Sequence, residues 1–342
     1  RAIVDAARAR QLRIPRAKLA FHGGEPAMIG AETFGKACRT LRDIIEPVAN
    51  LSLAIQTNGV LLDERWTDHF VEHAVGVGIS IDGPRGANDR FRLDKRGRST
   101  FQRTEDAIRR LVAARPYGAP LPSTISVLHH ANDYREIYHY LRDLGVEELN
   151  FLLPDRNVDD AEFQVSGEAE RYGRCLSEIF EEWLAEDNDQ VRIKFIDQTL
   201  VHFRASVTPG AIFRRGRKSN QVVIARSDGT VAIDDSYIPA LDWYSEAPVR
   251  SMETHSLRDF LDNPIFAEIE TTSSSTPTGC ADCRWRNICR GGDLENRFSA
   301  QNGFDNPSVY CAAYKGLYET VCLRLVEGGY PARLLSEKFG AA

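Results

Sequence analysis

Short apolar runs and longer stretches with helical spacing take turns along the first half of the chain. The runs AKLAFHGG (17–24), LSLAIQTNG (51–59), GVGISIDG (76–83), STISVLHH (123–130) and ELNFLLP (148–154) are rich in Ile, Val, Leu and Phe. Each ends in Gly, Pro or polar residues, so each predicts a strand. Between them GAETFGKACRTLRDII, DERWTDHFVEHA, TFQRTEDAIRRLVAA and YREIYHYLRDLG space their apolar residues as amphipathic helices do. Strand and helix in repeated alternation predict an α/β fold with a parallel sheet and right-handed crossovers. A partial (β/α)6 barrel of TIM type is the economical closure, with ligands at the carboxyl ends of the strands.

Those strand ends hold the polar chemistry: 22–26, 56–59, 80–84, 129–132 and 154–155, bearing Gly, Asn, Ser, Asp and His. A ligand site is expected at that mouth. After residue 160 the alternation stops. A long helix, EAERYGRCLSEIFEEWLAED (168–187), leads through VRIKFIDQTLVHF to a basic loop, FRRGRKSN (213–220). Next comes a hairpin, QVVIARSDGTVAI (221–233), in which Asp228 and Gly229 supply a two-residue turn. The chain closes on a helix, YKGLYETVCLRLVEGG (314–329). The expected division is a partial barrel over 1–160, a helical bridge over 161–205 and a small unit over 206–342 held together by a metal centre.

Composition narrows the picture. With 43 Lys+Arg against 49 Asp+Glu in 342 residues, the formal charge of −6 argues against general nucleic-acid binding. No window approaches the ~18 apolar residues of a membrane helix. The opening RAIVDAARARQLRIP reads as a helix already in progress without an N-cap, so the chain is expected to be a fragment, with no signal peptide visible in what remains.

The seven cysteines are an odd number and unevenly placed, which predicts a reducing, cytoplasmic compartment. Cys38, Cys175 and Cys322 stand alone and read as small buried hydrophobes. Cys280, Cys283, Cys289 and Cys311 form a C-x2-C-x5-C run with a fourth Cys after x21, in a loop rich in Gly. Tight turns let thiolates converge, as tetrahedral zinc or an iron–sulfur cluster requires. No second C-x2-C knuckle follows, so the cluster stands beside zinc as a serious candidate.

FHGGEP (21–26) follows a strand and precedes a helix, and Gly23 and Gly24 allow backbone to approach a ligand closely. Together with QTNG, SIDGP and the four-Cys loop, the order and spacing resemble radical S-adenosylmethionine enzymes with a SPASM-type C-terminal domain, over almost the whole chain. The resemblance implies that Gly23, Gly24, Glu25 and Pro26 engage the methionine amino group of the cofactor. It also implies that Gln56, Thr57, Asn58, Ser80 and Asp82 line the rest of the pocket, and that Leu153, in the stretch 152–154, lies near the adenine. Each residue has a plainer reading as well: Ser80, Asp82 and Asn58 as turn or cap residues, His22 as a core histidine, and His129 and His130 as packing or surface residues.

Two departures from the family pattern shape the reading. The CxxxCxxC loop that holds the radical [4Fe-4S] cluster is expected upstream of residue 1. Relatives with two auxiliary clusters carry a Cys after the hairpin and another four residues beyond C-x2-C-x5-C; here the chain has Ile233, Asp234 and Asp235, and then Asp293. One auxiliary [4Fe-4S] cluster, on Cys280, Cys283, Cys289 and Cys311, is therefore expected. NGFDNPSVYC (302–311), the Gly pair after Cys289 and the Asp-Ser pair after the hairpin resemble the cyclophane-forming maturases of ribosomal precursor peptides. That resemblance implies a carbon–carbon bond between an aromatic ring and a β-carbon two positions along, a flavodoxin- or ferredoxin-type electron donor, and Asp234 or Asp235 as the base that takes the ring proton. The basic tracts 85–98 and 214–218 read either as attractors of an acidic peptide or of the cofactor carboxylate, or as solvated loops. The alternatives are another SPASM peptide-modifying enzyme, a formylglycine-generating sulfatase maturase or a thioether former, and a zinc-stabilised peptide-binding module.

Overall fold

The computed structural model describes residues 2–165, 167–204, 206–208, 223–232, 250–256, 259 and 264–340. The chain forms two compact units, Arg1–Leu152 with Ile179–Ile196, and Leu153–Glu178 with Asp197–Ala342.

The first unit opens with α1 (Ala2–Ala9) and then alternates β1 (Ile14–Phe21), α2 (Ala31–Ile45), β2 (Ala49–Thr57), α3 (Glu64–Glu72) and β3 (Val75–Ser80). It continues with the single turn α4 (Arg85–Asn88), α5 (Phe101–Ala113), β4 (Ser123–Val127), α6 (Tyr134–Asp143) and β5 (Glu148–Leu152). Helix α7 (Glu168–Glu186) leads to β6 (Arg192–Ile193) and α8 (Lys194–Leu200). The six strands lie in sequence order, and every neighbouring pair is parallel. Among the described residues β1 and β6 do not pair, so the ladder is open at both edges.

The five expected strands are present, each ending two or three residues before its apolar run does. Beyond β2 and β4 side chains take the backbone amides, Asn58 N going to Glu25 and His129 N to the Tyr134 hydroxyl. The sixth strand, two residues long, is too short to leave a periodic signal. Asp63 and Asp133 cap α3 and α6, accepting from Trp66 N and from Arg135 N and Glu136 N.

The two faces of the sheet differ in chemistry. One carries Leu53, Ile55, Val75, Val77, Ile79, Leu149 and Phe151, all buried. Phe34 of α2, wholly buried, sits 4.8 Å from the ring of Phe21 and 5.0 and 5.8 Å from Trp66 and Phe70 of α3, locking both helices to the strands. The other face is set by register: Ala20 pairs Ala54, which pairs Gly76; Gln56 pairs Gly78; and Ser80 pairs Ile125, which pairs Asn150. Small and polar residues leave that face half-open.

In the second unit a short antiparallel sheet comprises β7 (Ile224–Ala225), β8 (Thr230–Ala232) and β9 (Arg250–Ser251). The hairpin is real but its turn is longer than expected. Arg226 and Thr230 close it, leaving Ser227, Asp228 and Gly229 between them. A two-residue turn of the Asn-Gly type needs positive φ at both positions, and only Gly229 has it, at 82°. Asp228 instead accepts from the Thr230 amide and hydroxyl at 2.9 and 2.7 Å.

Helices α9 (Pro264–Ser274), α10 (Arg286–Cys289), α11 (Cys311–Glu327) and α12 (Ala332–Phe339) complete this unit. Its core centres on Tyr310, whose ring meets Phe163 and Tyr172 edge-on and whose hydroxyl donates to Pro154 O at 2.8 Å. Gly173 of α7 packs so tightly on α11 that a Cβ there would lie 3.0 Å from Ala313 Cα. No helix among the described residues is long and apolar enough to cross a membrane.

Phe34→Ala is expected to cost about 3–5 kcal/mol by emptying the contact among Phe21, Trp66 and Phe70. Denaturant unfolding of the first unit's transition measures it; a loss under about 1 kcal/mol would show that α2 and α3 are held by something else.

Candidate functional site

At the carboxyl ends of β1 and β2, one carboxylate joins two loops. Glu25 Oε1 accepts from Ala27 N at 2.9 Å and from the Thr57 hydroxyl at 2.6 Å, and Oε2 accepts from Asn58 N at 2.8 Å. The Thr57 hydroxyl in turn accepts from Gly59 N, and the Thr104 hydroxyl donates to Asn58 O. Asn58 Oδ1 accepts from Val60 N at 2.9 Å, so its side chain makes the turn. Gly23 and Gly24 both lie in the left-handed region, at φ 82° and 55°, and a Cβ on either would meet nothing within 4 Å. Glycine is required there by conformation, and the space above the loop is open. Pro26 starts a single 3-10 turn after it.

Across β2 and β3, Gln56 donates from Nε2 to Ser80 Oγ at 3.0 Å. Their side chains share the half-open face because Gly78 has none: a Cβ at Gly78 would lie 2.1 Å from Gln56 Oε1. Ser80, Ile125 and Asn150 continue the row. Asn150 did not stand out in the sequence, where one polar residue inside ELNFLLP looks incidental; its register opposite Ile125 and Ser80 is what marks it.

Asp82, expected among the pocket residues, is engaged by protein donors. Its carboxylate takes Arg92 Nε and Nη2, each at 2.7 Å, and Oδ1 also accepts from Val127 N at 2.9 Å. Asp82 is 5% exposed, so these bonds satisfy a buried charge and tie β3's end to β4. The basic tract is thereby resolved into parts. Arg92 serves Asp82; Arg98 pairs Asp94; Arg85 reaches Ser99 and Gln102 and stacks over Phe101. Arg90, Lys95 and Arg96 are exposed and make no ion pair among the described residues. His22 is exposed rather than a core residue, while His129 packs its ring on Phe91 and His130. Leu153 directly follows β5 and is half-buried. Asp234 and Asp235, and the tract 214–218, lie outside the described residues.

In the second unit Cys280, Cys283, Cys289 and Cys311 line one cavity with Trp285, Tyr314, Lys315 and Tyr318. All four thiols are free. Cys311 begins α11, where the helix end favours a thiolate. Gly291 and Gly292 have φ of 94° and 85°, and a Cβ would meet Pro277 at 2.6 Å or Ser308 at 2.5 Å, so the Gly pair folds the loop shut after Cys289. Asp305 holds the loop's start, accepting from Thr278 N and Oγ1 at 2.8 Å. Burial pushes the Cys289 thiol up to about 11, and burial with mutual repulsion raises Cys280. Burial raises Cys311 against the opposing charge of Lys315, and buried Arg297 lies in the field of Cys280. Four crowded thiols with cations beside them fit a positively charged metal centre that takes them all as thiolates.

Asp293 accepts from the Tyr314 hydroxyl at 3.3 Å.

No family model matches the chain. The cysteine-type anaerobic sulfatase-maturating enzyme of Clostridium perfringens is 26% identical over 315 residues, covering 90% of this chain and 82% of that enzyme. The serine-type anaerobic sulfatase-maturating enzyme of Bacteroides thetaiotaomicron is 25% identical over 331 residues, covering 90% and 76%. Among solved structures, native anSMEcpe with bound AdoMet and Kp18Cys peptide superposes with a TM-score of 0.77 at 23% identity, covering 95% of this chain and 88% of that one.

Arg92→Ala is expected to cost about 3 kcal/mol, because Asp82 would keep its burial and lose its two charge-assisted bonds. Urea unfolding should show this, and Arg92→Lys should recover only part, since an ammonium cannot bond both oxygens in the same plane. Equal stability of Arg92→Ala and the parent would mean that Asp82 is held by Val127 alone.

Proposed function

We propose that this chain, which belongs to the radical S-adenosylmethionine enzymes with a SPASM-type segment, is a peptide maturase that joins an aromatic ring carbon to a β-carbon of a ribosomal precursor peptide. S-adenosylmethionine, once reduced, supplies the carbon radical that can take a hydrogen atom from an unactivated C–H bond, which no side-chain acid or base can do. The chain's own residues bind and orient. Gly23 and Gly24 bring open backbone to the amino-acid head group, with Glu25 fixing that loop against Thr57 and Asn58. Gln56 and Ser80 offer polar atoms on the half-open face, and Leu153 an apolar contact for the adenine. Around the same strand ends Met28, Ile29, Phe91, Val127 and Leu152 are exposed apolar side chains, suited to an aromatic residue of a peptide.

The observation that carries the choice of product is the thiol count. The 342 residues contain one set of four clustered cysteines, and Asp293 occupies a position where a second set would need Cys. Cys280, Cys283, Cys289 and Cys311 would hold one cluster, which would supply an acceptor for the electron a ring radical loses on becoming aromatic again, with Asp234 or Asp235 taking the proton and a flavodoxin- or ferredoxin-type partner as donor. The second reading, a formylglycine-generating maturase, is favoured by the activity named for the relatives.

Anaerobic incubation of the cluster-loaded enzyme with a precursor peptide encoded beside its gene is expected to give a product lighter by one H2, with the joined residues inseparable on fragmentation and no aldehyde trapped by a hydrazide. A trapped aldehyde from a Cys or Ser peptide would replace the cross-link by formylglycine formation. Separately, Cys289→Ser should lower iron and acid-labile sulfide by about four each per chain; zinc without sulfide in the parent would leave only a binding module.

A further inference from the structure

Helix α3 ends in the sequence His69-Phe70-Val71-Glu72-His73, and its polar residues converge on one point away from the mouth of the sheet. His69 Nδ1 lies 3.3 Å from Glu72 Oε2, and His73 Nε2 lies 3.6 Å from the same oxygen. The three ligand atoms lie within 4.8 Å of one another, the one such group of three or more His, Cys, Asp or Glu among the described residues. Around an ion bound at ~2.0–2.1 Å, tetrahedral ligand atoms stand ~3.3–3.4 Å apart, close to both measured edges. The two imidazoles, one turn apart, are stacked within 7° of parallel.

The surroundings prepare these atoms for an ion. The His73 side chain is 6% exposed, yet its Nε2 has no hydrogen-bond partner, which is costly for a buried polar atom. Glu72 divides its carboxylate: Oε1 is 3.9 Å from Arg39, leaving Oε2 to the imidazoles. The far nitrogen of His69 is 4.0 Å from Glu32 Oε1, an outer carboxylate of the kind that orients metal-bound imidazoles. Gly35 of α2 accommodates the His69 ring, since a Cβ there would lie 2.5 Å from Cε1. Glu72 is half-exposed, which gives an ion a way in.

We infer that His69, Glu72 and His73 form a binding site for one divalent transition-metal ion of the zinc class, with Glu32 and Gly35 placing the first imidazole. His73 stands two residues before β3 begins, so the site is at the amino end of that strand, opposite the carboxyl ends where Ser80 and Glu25 act. In α/β folds that end serves stability rather than chemistry. The ion would clip the last turn of α3 to α2.

Calorimetric titration of Zn2+ into the cluster-loaded full chain, whose four clustered thiols are then occupied, tests this. One Zn2+ per chain is expected, with a raised melting temperature. His69→Ala should abolish both effects, while Gly35→Ala, which keeps all three ligands and displaces one ring, should weaken binding by about 10–100-fold. The His69 side chain is 14% exposed and packs over Gly35, so circular dichroism of the metal-free variant verifies that it folds. Absence of a Zn2+ site in the cluster-loaded parent, or unchanged affinity in a folded His69→Ala, would overturn the assignment.

Discussion

A carboxylate with three donors on it fixes the mouth of the first unit. The ends of parallel strands present backbone groups that no ladder satisfies, and a ligand site built there collapses or wanders unless something fixes the loops. Glu25 does so for β1 and β2, collecting Ala27 N, the Thr57 hydroxyl and Asn58 N. Asp82 does so for β3 and β4 through Arg92 and Val127 N. Because these carboxylates are committed to protein donors, the side chains that share the half-open face between them, Gln56, Ser80 and Asn150, are uncharged, beside the two left-handed glycines. Uncharged polar groups there add no buried charge that would itself need a partner.

The half-open face depends on absence as much as on presence. Ala20, Ala54, Gly76 and Gly78 keep β1 to β3 shallow, and Gly78 alone permits Gln56 to lie across to Ser80. A parallel sheet buried on both faces would carry branched aliphatics in these places. Along β1 to β3 they appear only on the helix-covered face, as Leu53, Ile55, Val77 and Ile79. The asymmetry is written in side-chain volume, and it leaves room on one side for something that is not protein.

Most of the strand and helix order was legible because period-two and period-3.6 patterns survive without any knowledge of neighbours. Strand ends were read two or three residues long, since GGEP, TNG and SIDG extend the apolar runs in composition, while in the fold Asn58 N goes to Glu25 and Asp82 N to Asn88 Oδ1. The pairing of Asp82 with Arg92 was hidden for another reason: ten residues separate them, and the tract 85–98 offers six cations, so only the fold of the turn selects one. The hairpin turn was misjudged by one residue because Asp228 prefers a bond to Thr230 over a left-handed backbone. The His69, Glu72 and His73 spacing stood in plain view within DERWTDHFVEHA, yet an amphipathic pattern accounts for such residues as a polar edge, and only the burial of His73 separates it from one.

The cysteines show how burial and clustering divide one residue type into two chemistries. Desolvation pushes Cys38 to about 11 and Cys175 to about 12, and Cys175 donates its thiol hydrogen to Arg171 O, so both stay protonated and serve as packing. Cys280, Cys289 and Cys311 are raised by burial too, but they line one cavity, with the charge of Lys315 opposing the rise at Cys311 and Arg297 in the field of Cys280. A cavity that burdens its thiols in this way is unfavourable for four protons' release to water and favourable for release to a metal centre, which replaces every lost proton by a bond. The same desolvation therefore makes the solitary cysteines inert and the clustered ones dependent on a metal centre.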